Sequence, residues 1–258
     1  MTNFTVTTIK NLTMNTLKSL IVGLIIAIIA PASAQTADEI VANYLENTGG
    51  KENWEKLESV EMVGVMKMQG MEIPFEQVST KDGKQLVTIE LQGNRMVWSA
   101  FDGETSWQRN QMTMEAEKSD SEATENMKKQ TKDFPDPFLN YKEKGYSIEL
   151  VGKETVDGTE TFKIKMTKDP IIVDGQSLPN IVHYYFDTEN FVPIIIETQM
   201  NQGPMKGQTI KSSISDYQEV NGVYFPFTVG SEFQTMNFKE IKLNPEVDSA
   251  KFAFPEKK

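Results

Sequence analysis

Turn signals recur through this chain at hairpin spacing, and they constrain its fold more than any other feature. Gln69-Gly70, Asp82-Gly83, Gly93-Asn94, Asp102-Gly103, Asp157-Gly158, Asp174-Gly175, Asp187 to Asn190, Gln202-Gly203-Pro204 and Asn221-Gly222 punctuate the sequence from residue 69 onward. Asp-Gly and Asn-Gly pairs tolerate the positive φ angles that tight hairpins require. Between the turns, apolar and polar residues alternate. Val60, Met62, Met66 and Met68 share a parity with Gly64, while Glu61, Lys67 and Gln69 take the other. Ile73 and Phe75, then Val87, Ile89 and Leu91, then Phe162, Ile164 and Met166 repeat the pattern. The reading is an antiparallel meander of about ten or eleven strands. A flat twisted sheet of that many strands is unfavourable in a chain of this size, so the sheet is expected to curl toward a barrel that can hold a cavity.

Helical spacing appears in three places. Thr36-Ala37-Asp38-Glu39 has the form of a capping box, and Ile40, Val41, Tyr44 and Leu45 follow as one apolar stripe until Gly49-Gly50. Lys51 to Leu57 carries Trp54 and Leu57 three apart, which predicts a second short helix. Asp136 is placed to cap a third, with Pro137 in its first turn, Phe138, Leu139 and Tyr141 on its apolar side and Gly145 at its end. The charged stretch Met114 to Asp133 reads either as a solvated excursion or as a lid.

At the N-terminus, Leu20 to Ala30 is an apolar run preceded by Lys10 and Lys18 and followed by Pro31-Ala32-Ser33-Ala34. This has the form of a secretory signal with cleavage after Ala34, and a run of 11 residues is too short to span a bilayer about 30 Å thick. No cysteine is present for the lipid attachment of a bacterial lipoprotein, so the expected product is a soluble exported domain over 35–258. That product has 24 cationic against 37 acidic side chains, a net charge of −13 with histidine neutral, which disfavours nucleic acid as a partner. Without disulfides, its stability must come from a large apolar core.

Catalytic chemistry has little to draw on. The one histidine, His183, lies in a strand and reads as structural, and no cysteine is available as a nucleophile or metal ligand. The Asp-Gly pairs belong to separate hairpins rather than to a calcium loop, and the glycines sit singly in turns rather than in a phosphate-binding loop. No metal or cofactor is expected. Arg95 and Arg109, the only arginines, read as strand-end side chains. The distinctive chemistry is apolar. The chain has 14 Met, and Met62, Met66, Met68, Met71, Met96, Met112 and Met114 fall in its first half beside Trp98, Phe101 and Trp107. Methionine adapts its shape to ligands, so the wall is either ordinary core or a greasy pocket. The candidate pocket residues are Met62, Met66, Met68, Ile73, Phe75, Val87, Ile89, Leu91, Trp98 and Trp107.

The segment Phe101-Asp102-Gly103-Glu104-Thr105-Ser106-Trp107 and the tail Asn244-Pro245-Glu246-Val247-Asp248-Ser249-Ala250-Lys251-Phe252-Ala253-Phe254-Pro255 resemble those of periplasmic LolA-type lipoprotein carriers. Gly49-Gly50-Lys51, Tyr141 to Gly145 and Asp216 to Pro226 are similar to segments of the outer membrane lipoprotein-sorting relatives of that family. The resemblance implies an α+β fold, an unclosed antiparallel barrel whose N-terminal and inserted helices cover the concave face. It also implies a monomeric, non-enzymatic carrier that takes lipoprotein acyl chains, or another lipid, into an apolar cavity and meets inner- and outer-membrane transport components. Such a trough is needed because each CH₂ exposed to water costs about 0.8 kcal/mol. LolA-type carriers have an arginine in an early strand that helps hold the lid, and Lys81-Asp82-Gly83-Lys84-Gln85-Leu86-Val87 has none. The rival reading is a lipid or envelope-stress sensor on the same fold.

Overall fold

Each turn signal reverses the chain into a neighbouring antiparallel strand. A computed structural model of the protein describes residues 35–203 and 205–255. Contacts divide the chain into residues 1–36 and Ala37–Lys258, and the fold is that of the second unit. The predicted export signal, residues 1–34, lies outside the described residues. The first meander runs through β1 (Ser59–Met68), β2 (Met71–Thr80), β3 (Gln85–Leu91), β4 (Asn94–Phe101), β5 (Ser106–Arg109) and β6 (Ala116–Lys118). The second runs through β7 (Ser147–Val156), β8 (Thr159–Val173), β9 (Gln176–Asp187), β10 (Pro193–Gln199), β11 (Thr209–Val220), β12 (Val223–Gly230) and β13 (Gln234–Leu243). Together they form one 13-stranded sheet in the order β6-β5-β4-β3-β2-β1-β13-β12-β11-β10-β9-β8-β7. The sheet curls without closing, since β6 and β7 are its two edges.

The strand count exceeds the expected ten or eleven because two turns carry no Gly or Pro pair. Between β5 and β6 the Asn110 carboxamide accepts from the Met112 and Thr113 amides at 2.9 and 3.2 Å, which closes a turn by side chain rather than by glycine. Between β12 and β13, Ser231 N–H bonds Gln234 O at 2.7 Å. Where Asp-Gly and Asn-Gly do occur they behave as read: Asp157 and Gly158 have φ of 49° and 85°, and Asn221 and Gly222 have 49° and 86°.

Among the described residues only one pairing joins strands distant in sequence, β1 with β13. It contains a bulge between Val63 and Gly64, where a Cβ on Gly64 would lie 2.4 Å from Asn237 O. Glycine is what allows β13 to come this close.

One face of the sheet carries the helices and is termed the inner face. α1 (Ala37–Asn47) buries Ile40, Val41, Tyr44 and Leu45, the predicted stripe. α2 (Lys51–Glu55) buries Trp54, whose ring meets Phe225 of β12 at 5.0 Å between centroids. The junction between the two docks on the β11–β12 hairpin through Tyr224 N–H to Thr48 O, 2.9 Å. The main core lies between these helices, the segment 134–146 and the inner face of β7 to β13, with Phe138, Ile164, Met166 and Phe186 almost fully buried.

The expected third helix after Asp136 is instead a run of turns. Asp136 does cap it, accepting from Phe138 N–H at 2.8 Å, and Phe138, Leu139 and Tyr141 are buried. But the backbone bonds from Leu139 to Asp136 and from Tyr141 to Phe138 span three residues, and Asn140 turns left-handed at φ 51°. An α-helix cannot propagate through that residue.

Within Met114 to Asp133 the chain forms β6 and α3 (Ser121–Thr131). No α3 residue is buried. Polar bonds fix it to the β8–β9 hairpin instead: the Asn126 carboxamide both donates to Ile172 O and accepts from Ile172 N–H, at 2.6 and 2.8 Å.

Candidate functional site

Register decides which of the predicted pocket residues meet. Met66 pairs with Ile73, Gly64 with Phe75, Met62 with Gln77, and Val60 with Ser79. Phe75 pairs with Ile89, Gln77 with Val87, and Ile89 with Met96. Directly opposite residues share a face, so Met62, Met66, Met68, Ile73, Phe75, Val87, Ile89 and Leu91 all project to the inner face. Trp98 joins them across β4. Beyond Met62, these side chains form an apolar cluster around Ile73, Phe75 and Ile89. Among the described residues every member of that cluster comes from a strand, none from a helix. Met66, Met68, Leu91, Met96 and Trp98 remain only partly buried. Met62 packs on the helix-covered core instead, so the two apolar regions are continuous along β1.

Trp107 does not join this surface. Val78 pairs with Leu86, Leu86 with Ala100, and Ala100 with Trp107, a row on the outer face. The C-terminal segment covers that row with Val247, Phe252 and Phe254, and Trp107 donates its indole N–H to Phe252 O at 2.9 Å. Three members of the inner cluster are not among the candidate pocket residues: Met96 of β4, and Met236 and Phe238 of β13. Phe238 meets Phe75 edge-to-face at 5.7 Å. The alternation of Met236 and Phe238 with Asn237 and Lys239 is visible in the sequence, but the pairing of β13 with β1 is not.

At its inner end the apolar face passes beneath residues 130–137. A cavity of about 200 Å³ lies there, with Val60, Met62, Gln77, Ser79, Gln85 and Phe225 on the wall side and Gln130, Asp133, Phe134, Pro135 and Pro137 above. Polar bonds tie this cover down. Tyr44 O–H donates to Asp136 Oδ2 at 2.8 Å, and Lys144 Nζ bonds Asp136 O at 2.6 Å. Tyr146 O–H and Lys168 Nζ both reach the Asp133 carboxylate, at 3.0 and 2.6 Å. Burial pushes the Asp136 carboxyl above the ordinary carboxylate range, against the opposing pull of its bond from Tyr44. Burial likewise raises Tyr146.

Neither arginine touches this cover. Arg95 pairs with Glu76, and Arg109 donates to Val97 O and Met114 O at 2.8 and 2.7 Å, stapling the β5–β6 turn. His183 sits on the outer face with Nδ1 3.5 Å from Glu197 Oε1, and burial lowers its pKa. Glu197 is also bonded by Tyr185 O–H at 2.9 Å and faces Lys211 Nζ at 3.4 Å. No group of three or more carboxylate, histidine or cysteine side chains able to hold a metal occurs among the described residues. Nor is any helix among them long and apolar enough to cross a membrane.

A curled, unclosed antiparallel sheet with helices packed on its inner face defines an open half-barrel. The chain has a LolA-like fold: a LolA superfamily protein from Nitrosomonas europaea superposes with a TM-score of 0.53 at 15% identity, over 85% of this chain and 98% of that one. A DUF1329 family protein from Desulfovibrio piger gives 0.49 at 12% identity, over 83% and 97% of the two chains. A putative outer membrane lipoprotein-sorting protein domain from Vibrio parahaemolyticus gives 0.49 at 11%, over 83% and 94%. No family model and no curated protein matches the sequence.

Proposed function

We propose that this protein is a non-enzymatic carrier that takes acyl chains of lipoproteins, or a similar hydrophobic ligand, onto the inner face of its half-barrel. It acts in the periplasm after export by residues 1–34. The observation that supports this reading is the apolar cluster of β1 to β4 and β13, which the helices leave uncovered among the described residues. Its rim of Met66, Met68, Met96 and Trp98 is flexible or partly exposed, as a surface that accommodates ligands of varied shape should be. The 200 Å³ cavity under residues 130–137 is below the 300–1,000 Å³ or so usual for a ligand site. An acyl chain therefore lies along the cluster and enters beneath the cover only when that cover lifts.

A fluorescent fatty-acyl probe tests the reading on delipidated protein. Trp54 and Trp107 pack in other clusters, so Trp98 is the tryptophan in contact with the proposed site and the most efficient donor to a bound probe. Saturable binding is expected, with transfer reduced in Trp98→Phe. Met66→Glu, at a partly exposed position, should weaken binding about tenfold by placing a charge against the chain. Absence of saturable binding, or no effect of Met66→Glu in a folded protein, overturns the proposal.

A further inference from the structure

A second site lies away from the apolar face, where the sheet forks. The β9–β10 ladder runs from Phe186 opposite Pro193 only as far as Val182 opposite Thr198. Beyond that point the two strands part. β9 continues to Gln176 against β8, with Thr167 opposite Ile181 and Ile171 opposite Leu178. β10 continues against β11, with Gln199 opposite Thr209, and the arm is extended by Met200 N–H to Gln208 O at 2.8 Å. Among the described residues no strand pairs with the β10-facing edge of Gln176 to Ile181, a run about 20 Å long at 3.3 Å per residue.

The gap between the arms has a volume of about 540 Å³. It is a slot in the plane of the sheet rather than a dent in one face. Consecutive residues Leu178, Pro179, Asn180 and Ile181 line it from β9, and Glu197, Thr198 and Gln199 from β10, so both faces of each strand contribute.

We propose that this fork binds an extended peptide segment, neutral or basic, which inserts between β9 and β10 and pairs with both. Two facing strand edges offer main-chain donors and acceptors at the spacing that an extended backbone needs. Asn180, Gln199 and Asn201 add amide side chains that can bond a peptide backbone, while Leu178 and Ile181 offer apolar contact to alternate side chains. The lining contains no cation, and the chain carries a net charge of −11, which disfavours an anionic ligand. Its one ring is the His183 imidazole, and no Trp, Tyr or Phe is present on which a sugar could stack. Pro179 withholds one N–H, which restrains indiscriminate pairing along this edge. The proposal is independent of the carrier reading, since it uses none of the inner-face cluster.

The test uses an end-amidated Lys-Thr-Val-Thr-Val-Thr-Lys peptide and its analogue N-methylated at alternate residues, titrated into isotope-labelled protein. Shifts confined to 176–181 and 197–201 are expected, with slowed amide exchange there, and about tenfold weaker binding of the methylated peptide through loss of two main-chain bonds. Asn201→Trp, which fills the slot from a residue outside any strand, should abolish binding while leaving fatty-acyl probe binding unchanged. Absence of binding, equal affinity for both peptides, shifts on the inner-face cluster, or amides protected only in a concentration-dependent dimer would each overturn the proposal. The last outcome would assign the fork to a second copy of the chain.

Discussion

At the scale of single residues, two positions concentrate the physics of this fold. Gly64 is one, because a side chain there would meet the backbone of β13 rather than a yielding side chain, with 2.4 Å to Asn237 O and 3.0 Å to Phe238 Cα. Gly64→Ala must therefore shift the β1–β13 pairing, and a loss of about 1–3 kcal/mol in denaturant unfolding is expected. An unchanged midpoint would mean that the bulge yields freely. Asp136 is the other. Its carboxyl is held above its ordinary 3.8 by burial, so the folded state keeps the proton to higher pH than the unfolded chain does. The stability this contributes is fully present in acid and is lost as pH rises through the raised folded value. Asp136→Asn cannot titrate, so the stability of wild type relative to this variant should fall as pH rises above the ordinary carboxylate range. A difference that is flat or rises with pH would show that the bonds from Tyr44 O–H and Phe138 N–H, with the charge of Lys144, outweigh desolvation.

At the scale of elements, α3 differs from α1 in what holds it. α1 is anchored by a buried stripe, α3 by side-chain bonds to the tip of the β8–β9 hairpin. Asn126→Ala removes two of those bonds, worth about 1–2 kcal/mol of local docking. Proteolysis within 121–131 should accelerate while the global melting temperature moves little, and a large drop in melting temperature would instead make α3 part of the core. The contrast also explains what the sequence made legible. Periodicity identified Ile40, Val41, Tyr44 and Leu45, because local spacing alone determines which helix face can be buried. It identified the hairpins wherever Asp-Gly or Asn-Gly wrote the turn. It did not resolve the turns at Asn110 and Ser231, where a side chain or a serine amide does the same work without a glycine. Nor could it place Trp107, whose parity is clear but whose cover, the segment around Phe252 and Phe254, arrives 145 residues later. For the candidate site, nine of the ten named residues project to the inner face, since alternation fixes parity, and only Trp107 falls outside. The β13 contribution went unread because register between distant strands leaves no mark in either one.

For the whole molecule, the sheet is two sequential meanders joined along a single long-range seam, β1 with β13. The meanders are not equally backed. β8, β9 and β12 face the large core under α1, α2 and the segment 134–146, whereas β3, β4 and β5 rest on two small clusters, one uncovered by helices among the described residues and one closed by the C-terminal segment. Local opening requires least energy where least apolar area is buried. Amides of β3 to β5 should therefore exchange with solvent through openings well below the global unfolding energy, while those of β8 and β9 around Ile164, Met166, Tyr184 and Phe186 exchange only by global unfolding. This ordering also fits the proposed function, because a groove that admits a chain-like ligand must be able to breathe without unfolding the core beside it. Binding of a fatty-acyl probe should raise protection in β1 to β4 selectively, by bringing apolar atoms to the face that lacks them. Uniform protection across both meanders, or a ligand effect confined to β8 and β9, would place the mobile surface elsewhere and would move the ligand to the helix-covered half.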